Sequence, residues 1–132
     1  MREILFRGKR TDNGEWVYGY YYQAKYCRTD DELCDYITVP HPKEYNEPSS
    51  HYMVNPETVG QYAGLQDQIG TKIFEGDIIL LRSDEEPYQV VFDESCFHVY
   101  GSSVCYVMNN FYDYEIEVIG NIYDNPELLG GK

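Results

Sequence analysis

Short β-rich runs separated by turn residues are the feature that most constrains the fold. In the second half of the chain these runs recur at roughly even spacing, as IILL, YQVVFDES, CFHVY, VCYV and YEIEVIGN. Turns are predicted at Gly70 and at Gly76-Asp77 before the first of these runs. Later turns are marked by Asp93-Glu94-Ser95, Gly101-Ser102-Ser103 and Asn109-Asn110. Short strands at such spacing are typical of a small antiparallel barrel or sandwich. Asn55-Pro56-Glu57 predicts a capped helical turn before them, ending at Gly60 or Gly64.

The N-terminal residues carry a hairpin signal. Two β-rich runs, residues 4–7 and 16–22, flank a segment that contains Asp12-Asn13-Gly14. Asn and Gly accept the positive φ that a tight reversal needs. Trp16, Tyr18, Tyr20 and Tyr22 alternate with Val17, Gly19 and Tyr21, as expected of a half-buried strand. Residues 23–54 contain three prolines in PHPKEYNEPSSHY and are predicted to form a mobile loop.

The composition is that of a folded protein without membrane segments. Hydrophobic residues make up 42% of the 132 residues and aromatic residues 16%, which is too much for a disordered acidic chain. No apolar run is long enough to cross a bilayer, and the first ten residues lack a signal peptide's apolar stretch. These observations predict a cytoplasmic protein that makes no membrane contact.

Four cysteines, Cys27, Cys34, Cys96 and Cys105, are predicted to be free thiols in a reducing compartment. Their spacing differs from that of a zinc knuckle, although His41 and His51 follow the first pair. We therefore expect no metal and no cofactor.

The charge is strongly acidic and unevenly distributed. Acidic residues outnumber basic ones 23 to 10, and the net charge of -13 counts against ordinary nucleic-acid binding. Residues 1–28 nevertheless hold six basic side chains against three acidic ones, whereas ten acidic residues and one base follow from Asp84 onward. Two interpretations stay open. One is a solvated acidic surface, and the other is head-to-tail self-association of a basic N-terminus with the acidic C-terminal part of another copy.

Residues with the composition of an interaction surface lie at both ends of the chain. The N-terminal candidates are the basic and aromatic residues Arg7, Lys9, Arg10, Trp16, Tyr18, Tyr20 and Tyr22. The C-terminal candidates, Asp113, Glu115 and Glu117, have the period of two that places side chains on one face of a strand. That face is predicted to be solvated or to meet a basic partner.

The sequence gives little support for a catalytic site. Ser49-Ser50-His51 and Cys96-Phe97-His98 bring nucleophiles near histidines, but neighbours on a strand point to opposite faces, and His98 is predicted to face outward. Glu75 and Asp77 flank Gly76 at the start of a strand, where an exposed turn is favoured over a metal or acid–base site. The sequence therefore predicts no catalytic and no metal-binding residue.

Three segments are specific enough to indicate a family. REILFRGKRTDNGEWVYG, VNPETVGQYAGLQDQIGTKIFEGDIIL and VIGNIYDNPELL resemble, in this order, the YopX family of small phage and prophage proteins. The Cys- and His-bearing stretch 26–53 is outside that resemblance. The resemblance implies a mainly β fold with a barrel-like C-terminal half, a phage or prophage origin and homo-oligomerisation. It implies no activity, so no catalytic residue is carried over.

Together these observations predict a mainly β protein with two parts. Residues 1–54 form an N-terminal β-hairpin and variable loop region, and residues 55–132 form a small antiparallel, SH3-like β-barrel with short helical turns. The favoured function is a non-enzymatic phage or prophage accessory protein that assembles with itself and binds a host or phage protein. The alternatives are an acidic DNA mimic, then a nucleic-acid-binding barrel contacting its ligand through the N-terminal bases, and last a metal-dependent hydrolase using Glu75, Asp77 and a His.

Overall fold

The computed structural model describes residues 4–25, 33–40, 50–82 and 85–130, and these residues are mainly β, as predicted. All strand pairs are antiparallel. The strands are β1 Phe6–Lys9, β2 Trp16–Lys25, β3 Leu33–Val39, β4 Ser50–Met53, β5 Gly60–Gln66, β6 Lys72–Phe74, β7 Asp77–Leu81, β8 Pro87–Asp93, β9 Cys96–Tyr100, β10 Cys105–Val107 and β11 Ile116–Asn121. The helical segments are short 3₁₀ turns at Pro56–Thr58, Met108–Asn110, Asp113–Glu115 and Pro126–Leu129. Within the described ranges, no helix has the length and apolarity needed to span a membrane.

The chain divides into two compact units, Met1–Gln61 and Tyr62–Lys132, and the division falls inside β5. The sequence-based division between residues 54 and 55 stays a prediction.

The first unit is built on the predicted hairpin, which is confirmed. β1 pairs with β2, and Gly14 adopts a φ of +74° in the turn that joins them. The Asn13 side-chain oxygen accepts a hydrogen bond from the Glu15 N–H at 2.9 Å. This local bond explains why the Asn-Gly pair reverses the chain here. The strand order in this unit is β4-β3-β2-β1-β5.

The prediction of a mobile loop over residues 23–54 is wrong where the structure describes this segment. β2 continues to Lys25, and β3 and β4 add two further antiparallel strands to it. The β-branched run Ile37-Thr38-Val39 favours a strand, and Ile37 is completely buried in it. The rest of the predicted loop, residues 26–32 and 41–49, lies outside the described residues.

One face of the first sheet is packed. Ile37 and Val54 are buried there, and the rings of Phe6 and Tyr21 lie 5.6 Å apart. The Tyr21 hydroxyl donates a hydrogen bond to the mostly buried Asp35 carboxylate. Burial, together with this bond, raises the pKa of Tyr21 to about 12. The buried carboxylate is therefore hydrogen-bonded on this face, where the Gln23 side-chain amide also donates to it at 3.4 Å.

A capped turn leads from the first unit toward β5. The Asn55 side chain accepts a hydrogen bond from the Glu57 N–H at 3.1 Å, as the Asn-Pro-Glu pattern predicts. The turn ends earlier than expected, at Thr58, and Gly60 is already the first residue of β5. The Thr58 hydroxyl accepts a hydrogen bond from the Lys9 N–H at 2.9 Å, which joins this turn to β1.

The second unit contains the larger apolar core. Its five-stranded sheet has the order β10-β9-β8-β7-β11, while β6 pairs with the end of β5. The buried cluster comprises Ala63, Ile73, Ile79, Leu81, Tyr88, Val90, Val99, Met108 and Ile116. The turns at Gly70 and Gly76, with φ of +89° and +94°, lie where the sequence predicts them.

The barrel expected in the second half is an open sheet in the described residues. β10 pairs only with β9, and β11 pairs only with β7, whereas a barrel needs its first and last strands to be hydrogen-bonded to each other. β10 is three residues long and is followed at once by the 3₁₀ turn Met108–Asn110.

A buried aspartate holds this unit together. Asp67 is 3% exposed, and its carboxylate accepts hydrogen bonds from the N–H groups of Ile69 (3.1 Å), Thr71 (2.9 Å) and Val118 (3.0 Å). Burial alone raises the pKa of Asp67, but these three donors outweigh it and hold the pKa below its ordinary value. One side chain thus fixes the β5–β6 turn and ties it to β11.

We expect Asp67→Asn to lower the free energy of unfolding by about 2 kcal/mol, because an amide offers one acceptor oxygen in place of two and leaves a buried N–H group without its acceptor. Because the folded-state pKa is lowered, the carboxylate contributes its full stabilisation above the ordinary value of 3.8 and loses it as the pH falls further. Urea unfolding at several pH values measures both effects.

The exposed control Asp113→Asn should change the free energy of unfolding by less than about 0.5 kcal/mol. Equal losses in the two variants would contradict this role of Asp67.

Candidate functional site

The register of the first sheet gathers an unusual number of aromatic side chains on one face. Trp16, Tyr18, Tyr20 and Tyr22 alternate along β2 and therefore share a face. β3 adds Tyr36, which is paired with Tyr22. We call these five residues the aromatic face. It lies opposite the packed face that contains Ile37.

Most of the aromatic face is open to solvent. Tyr20 is 59% exposed, Tyr18 is 46% exposed and Tyr22 is 36% exposed. The rings of Tyr22 and Tyr36 are stacked, with centroids 5.2 Å apart. Such a row of exposed rings on an ordered sheet is typical of a surface that binds a partner, because single exposed apolar residues are common but contiguous ones are not.

A histidine joins the face at its β4 end. The Nδ1 atom of His51 lies 3.0 Å from both the Tyr22 hydroxyl and the Thr38 hydroxyl. This contact gives His51 a role in orienting Tyr22. Sequence reasoning missed Tyr36, Thr38 and His51 because it treated residues 23–54 as a loop, although the β-branched run in β3 signals a strand.

Two basic side chains border the aromatic face. Arg7 pairs with Tyr18, Lys9 pairs with Trp16, and both cations lie over the Trp16 ring, at 4.6 Å and 5.5 Å from its centroid. Arg7 is only 5% exposed, so its guanidinium acts inside the structure as a partner of Trp16. Lys9 is half-buried and lies beside Trp16, at one end of the aromatic face.

Arg10 is separated from the other N-terminal candidates. Its guanidinium donates two hydrogen bonds to the Asp12 carboxylate, at 2.9 Å and 2.6 Å, and lies 4.3 Å from the centroid of the Tyr52 ring. The hydrogen bond raises the pKa of Arg10 and lowers the pKa of Asp12. Tyr52 pairs with Ile37, on the opposite side of the sheet from the aromatic face. Arg10 therefore does not contribute to that face.

The acidic C-terminal candidates do not form the predicted strip on one strand. Asp113 and Glu115 lie in a 3₁₀ turn, and only Glu117 lies in β11. The local reason is a cap, because the Glu115 side chain accepts a hydrogen bond from the Tyr112 N–H at 2.9 Å. Glu115 and Glu117 nevertheless both line an open cleft of about 510 Å³, together with Arg82.

The turn at Gly76 has a structural explanation that differs from the predicted exposed turn. Asp77 is 2% exposed, and its carboxylate accepts a hydrogen bond from the Phe74 N–H at 2.8 Å. This bond holds the β6–β7 turn in place. Among the residues that the structure describes, no group of three His, Cys, Asp or Glu side chains is arranged to bind a metal ion. Cys27 and His41 lie outside those residues.

A polar cluster that sequence reasoning dismissed lies at the tip of the β8–β9 hairpin. The Cys96 sulfur lies 3.8 Å from Nδ1 and 3.7 Å from Nε2 of His98. His98 lies on the face of β9 opposite the buried Val99, as predicted, but its side chain is only 12% exposed. Residues 96 and 98 are two apart on one strand and so share a face. That spacing is the signal by which the pair could have been found.

Comparisons with known proteins agree with the β architecture. The family model described as YopX protein matches residues 5–130. No curated protein matches the chain. Among solved structures, the crystal structure of protein EF1440 from Enterococcus faecalis is similar over 98% of this chain and 99% of that chain, with a TM-score of 0.58 at 20% sequence identity. At that identity the similarity concerns the fold alone.

We expect Arg7→Lys to lower the free energy of unfolding by about 1–2 kcal/mol, because an ammonium group is more strongly hydrated than a guanidinium and so makes a weaker buried contact with the Trp16 ring. Trp16 is the single tryptophan, so its fluorescence during urea unfolding reports the change directly. Arg82→Lys, at an exposed arginine, should alter stability by less than about 0.5 kcal/mol. An Arg7→Lys variant as stable as the parent would show that the contact of the guanidinium with the Trp16 ring contributes nothing to stability.

Proposed function

The chain belongs to the YopX family, and from this premise we propose that it is a non-enzymatic phage or prophage protein that assembles with copies of itself in the cytoplasm of a bacterial host. The observation that carries the proposal is the aromatic face, an ordered row of exposed tyrosines beside a lysine. Aromatic side chains are enriched at protein interfaces because they bury a large area at a small cost in conformational entropy.

Charge supports a second copy of this chain as the partner. Residues 62–132 contain 13 acidic and three basic side chains, whereas basic side chains predominate in residues 1–28. Lys9 lies beside the aromatic face, and Glu115 and Glu117 line the cleft in the second unit. Contact between these two different surfaces is head-to-tail, and repeated contacts of this kind close into a ring when the rotation permits.

The arginines are less suited to this contact than the tyrosines. Arg7 is buried and Arg10 is paired with Asp12, so neither presents an isolated charge to a partner. The side chains that would be buried by association are Tyr18 and Tyr20, which retain about half of their surface in solvent. Aromatic burial is therefore the main source of affinity in this proposal, and the charge selects the partner surface.

A DNA mimic is the second candidate function. It is favoured by the density of carboxylates in residues 62–132, which could present negative charge to a basic host protein in place of phosphates. Its distinguishing property is capture of a nucleic-acid-binding protein that excess DNA displaces. Direct nucleic-acid binding by the chain is disfavoured by the net charge of -13.

We expect the double variant Tyr18→Ser/Tyr20→Ser to be monomeric under conditions in which the wild type forms a larger particle, because the exposed rings supply most of the buried area. Light scattering during gel filtration, over a range of protein concentrations, measures the particle mass. Raising the salt concentration should weaken the wild-type particle through the charged part of the contact.

The control is Ile69→Ser, which removes a side chain that is 82% exposed in the second unit. Circular dichroism of all variants establishes that they are folded. A wild-type chain that remains at 15.5 kDa at every concentration would overturn self-assembly. An oligomer of unchanged mass in the tyrosine variant would instead exclude the aromatic face as its contact.

A further inference from the structure

The tip of the β8–β9 hairpin brings together three side chains with complementary chemistry. The turn consists of Glu94 and Ser95, both with positive φ, at 48° and 68°. A two-residue turn of this kind places the residues on either side of it directly opposite each other. Asp93 therefore pairs with Cys96, and His98 follows on the same face of β9.

The imidazole of His98 contacts both a carboxylate and a thiol. Its Nδ1 atom lies 2.8 Å from Oδ1 of Asp93, at ion-pair distance but without hydrogen-bond alignment. The Cys96 sulfur lies 3.7 Å from Nε2 and 3.8 Å from Nδ1. Because Nδ1 faces the carboxylate, Nε2 is the nitrogen left to accept the thiol proton. A nucleophile, a base and a third group that orients the base are the parts of an activated nucleophile.

Asp93 is itself held in place. Its second oxygen, Oδ2, accepts a hydrogen bond from the Tyr100 hydroxyl at 2.5 Å. This bond to Asp93 raises the pKa of Tyr100 to about 12. Tyr100 therefore stays protonated at neutral pH and keeps donating to the carboxylate. Asp93 and Tyr100 are positioning residues for His98.

The other described cysteines lack this environment. Cys34 pairs with Ala24 on the aromatic side of the first sheet, and Cys105 is exposed opposite Tyr100. Within the described part of the chain, neither lies within hydrogen-bonding distance of a histidine. Cys96 is half-buried and so remains accessible to a small reagent, although it is less exposed than Cys105.

We propose that Cys96 is a reactive thiol and a site of modification by low-molecular-weight disulfides, with His98 as its base. In the reaction, the Cys96 S–H proton passes to Nε2 of His98, and the thiolate attacks one sulfur of the disulfide. A new S–S bond forms to Cys96, the old S–S bond breaks, and the other half of the reagent leaves as a thiolate. No further oxidant is needed, because the disulfide is reduced as Cys96 is oxidised.

The test uses the folded full-length chain and 5,5′-dithiobis(2-nitrobenzoate), a small aromatic disulfide, with mass spectrometry to assign the rate at each cysteine. Exposure alone predicts that Cys105 reacts faster than Cys96. We expect the reverse, with Cys96 faster by about tenfold after each rate is divided by its value in the urea-unfolded chain.

Two variants separate activation from a merely structural role. His98→Ala should lower the reaction rate of Cys96 by about 10- to 100-fold and leave the reaction rate of Cys105 unchanged. Added imidazole should restore part of the Cys96 rate. Tyr100→Phe removes only the hydroxyl that holds Asp93 and should lower the reaction rate of Cys96 by less than His98→Ala does. If His98→Ala fails to fold, the wild-type ratio and the Tyr100→Phe variant still decide the question.

A wild-type Cys96 that reacts no faster than Cys105 after this correction would overturn the proposal. So would a Cys96 rate that is insensitive to both variants. The outcome is independent of particle mass, so the reactive thiol and self-assembly succeed or fail separately.

Discussion

Strand register is the constraint on which the rest of this structure depends. Each antiparallel hairpin fixes which side chains lie opposite each other, and the period of two then assigns every residue to one face. In the first sheet, the pairing of β2 with β3 places Ile37 and Tyr21 on the packed face, opposite Tyr18, Tyr20 and Tyr22. In the second sheet, the two-residue turn after Asp93 brings Asp93, Cys96 and His98 together. Both candidate sites are thus consequences of hairpin geometry.

The alternation in the sequence predicts much of this arrangement but not all of it. The hairpin at Asn13-Gly14, the turns at Gly70 and Gly76 and the strand sequence after Gly76 are visible because Gly and Asn mark reversals and β-branched residues mark strands. The order of strands and the open second sheet depend on long-range pairing that no local pattern contains. β3 and β4 were missed because the prolines around them suggested a loop, whereas Ile37 anchors β3 in the packed layer.

The candidate interface shows why charge in a sequence is an incomplete guide to a surface. Arg7 and Arg10 contribute to the same basic N-terminal segment, yet one is buried against Trp16 and the other is paired with Asp12. What remains exposed is aromatic, with Lys9 beside it. A carboxylate-rich second unit offers a complementary surface in another copy, so association and the uneven charge of the chain have one physical explanation in this proposal.

The most direct measurement of the central proposal is hydroxyl-radical footprinting of the wild-type chain from dilute to concentrated solution, read by mass spectrometry at individual aromatic side chains. If copies associate through the aromatic face, oxidation of Tyr18 and Tyr20 falls as the concentration rises, while the buried Tyr88 remains protected throughout. Oxidation of Tyr18 and Tyr20 that stays constant over the whole concentration range would contradict assembly through this face.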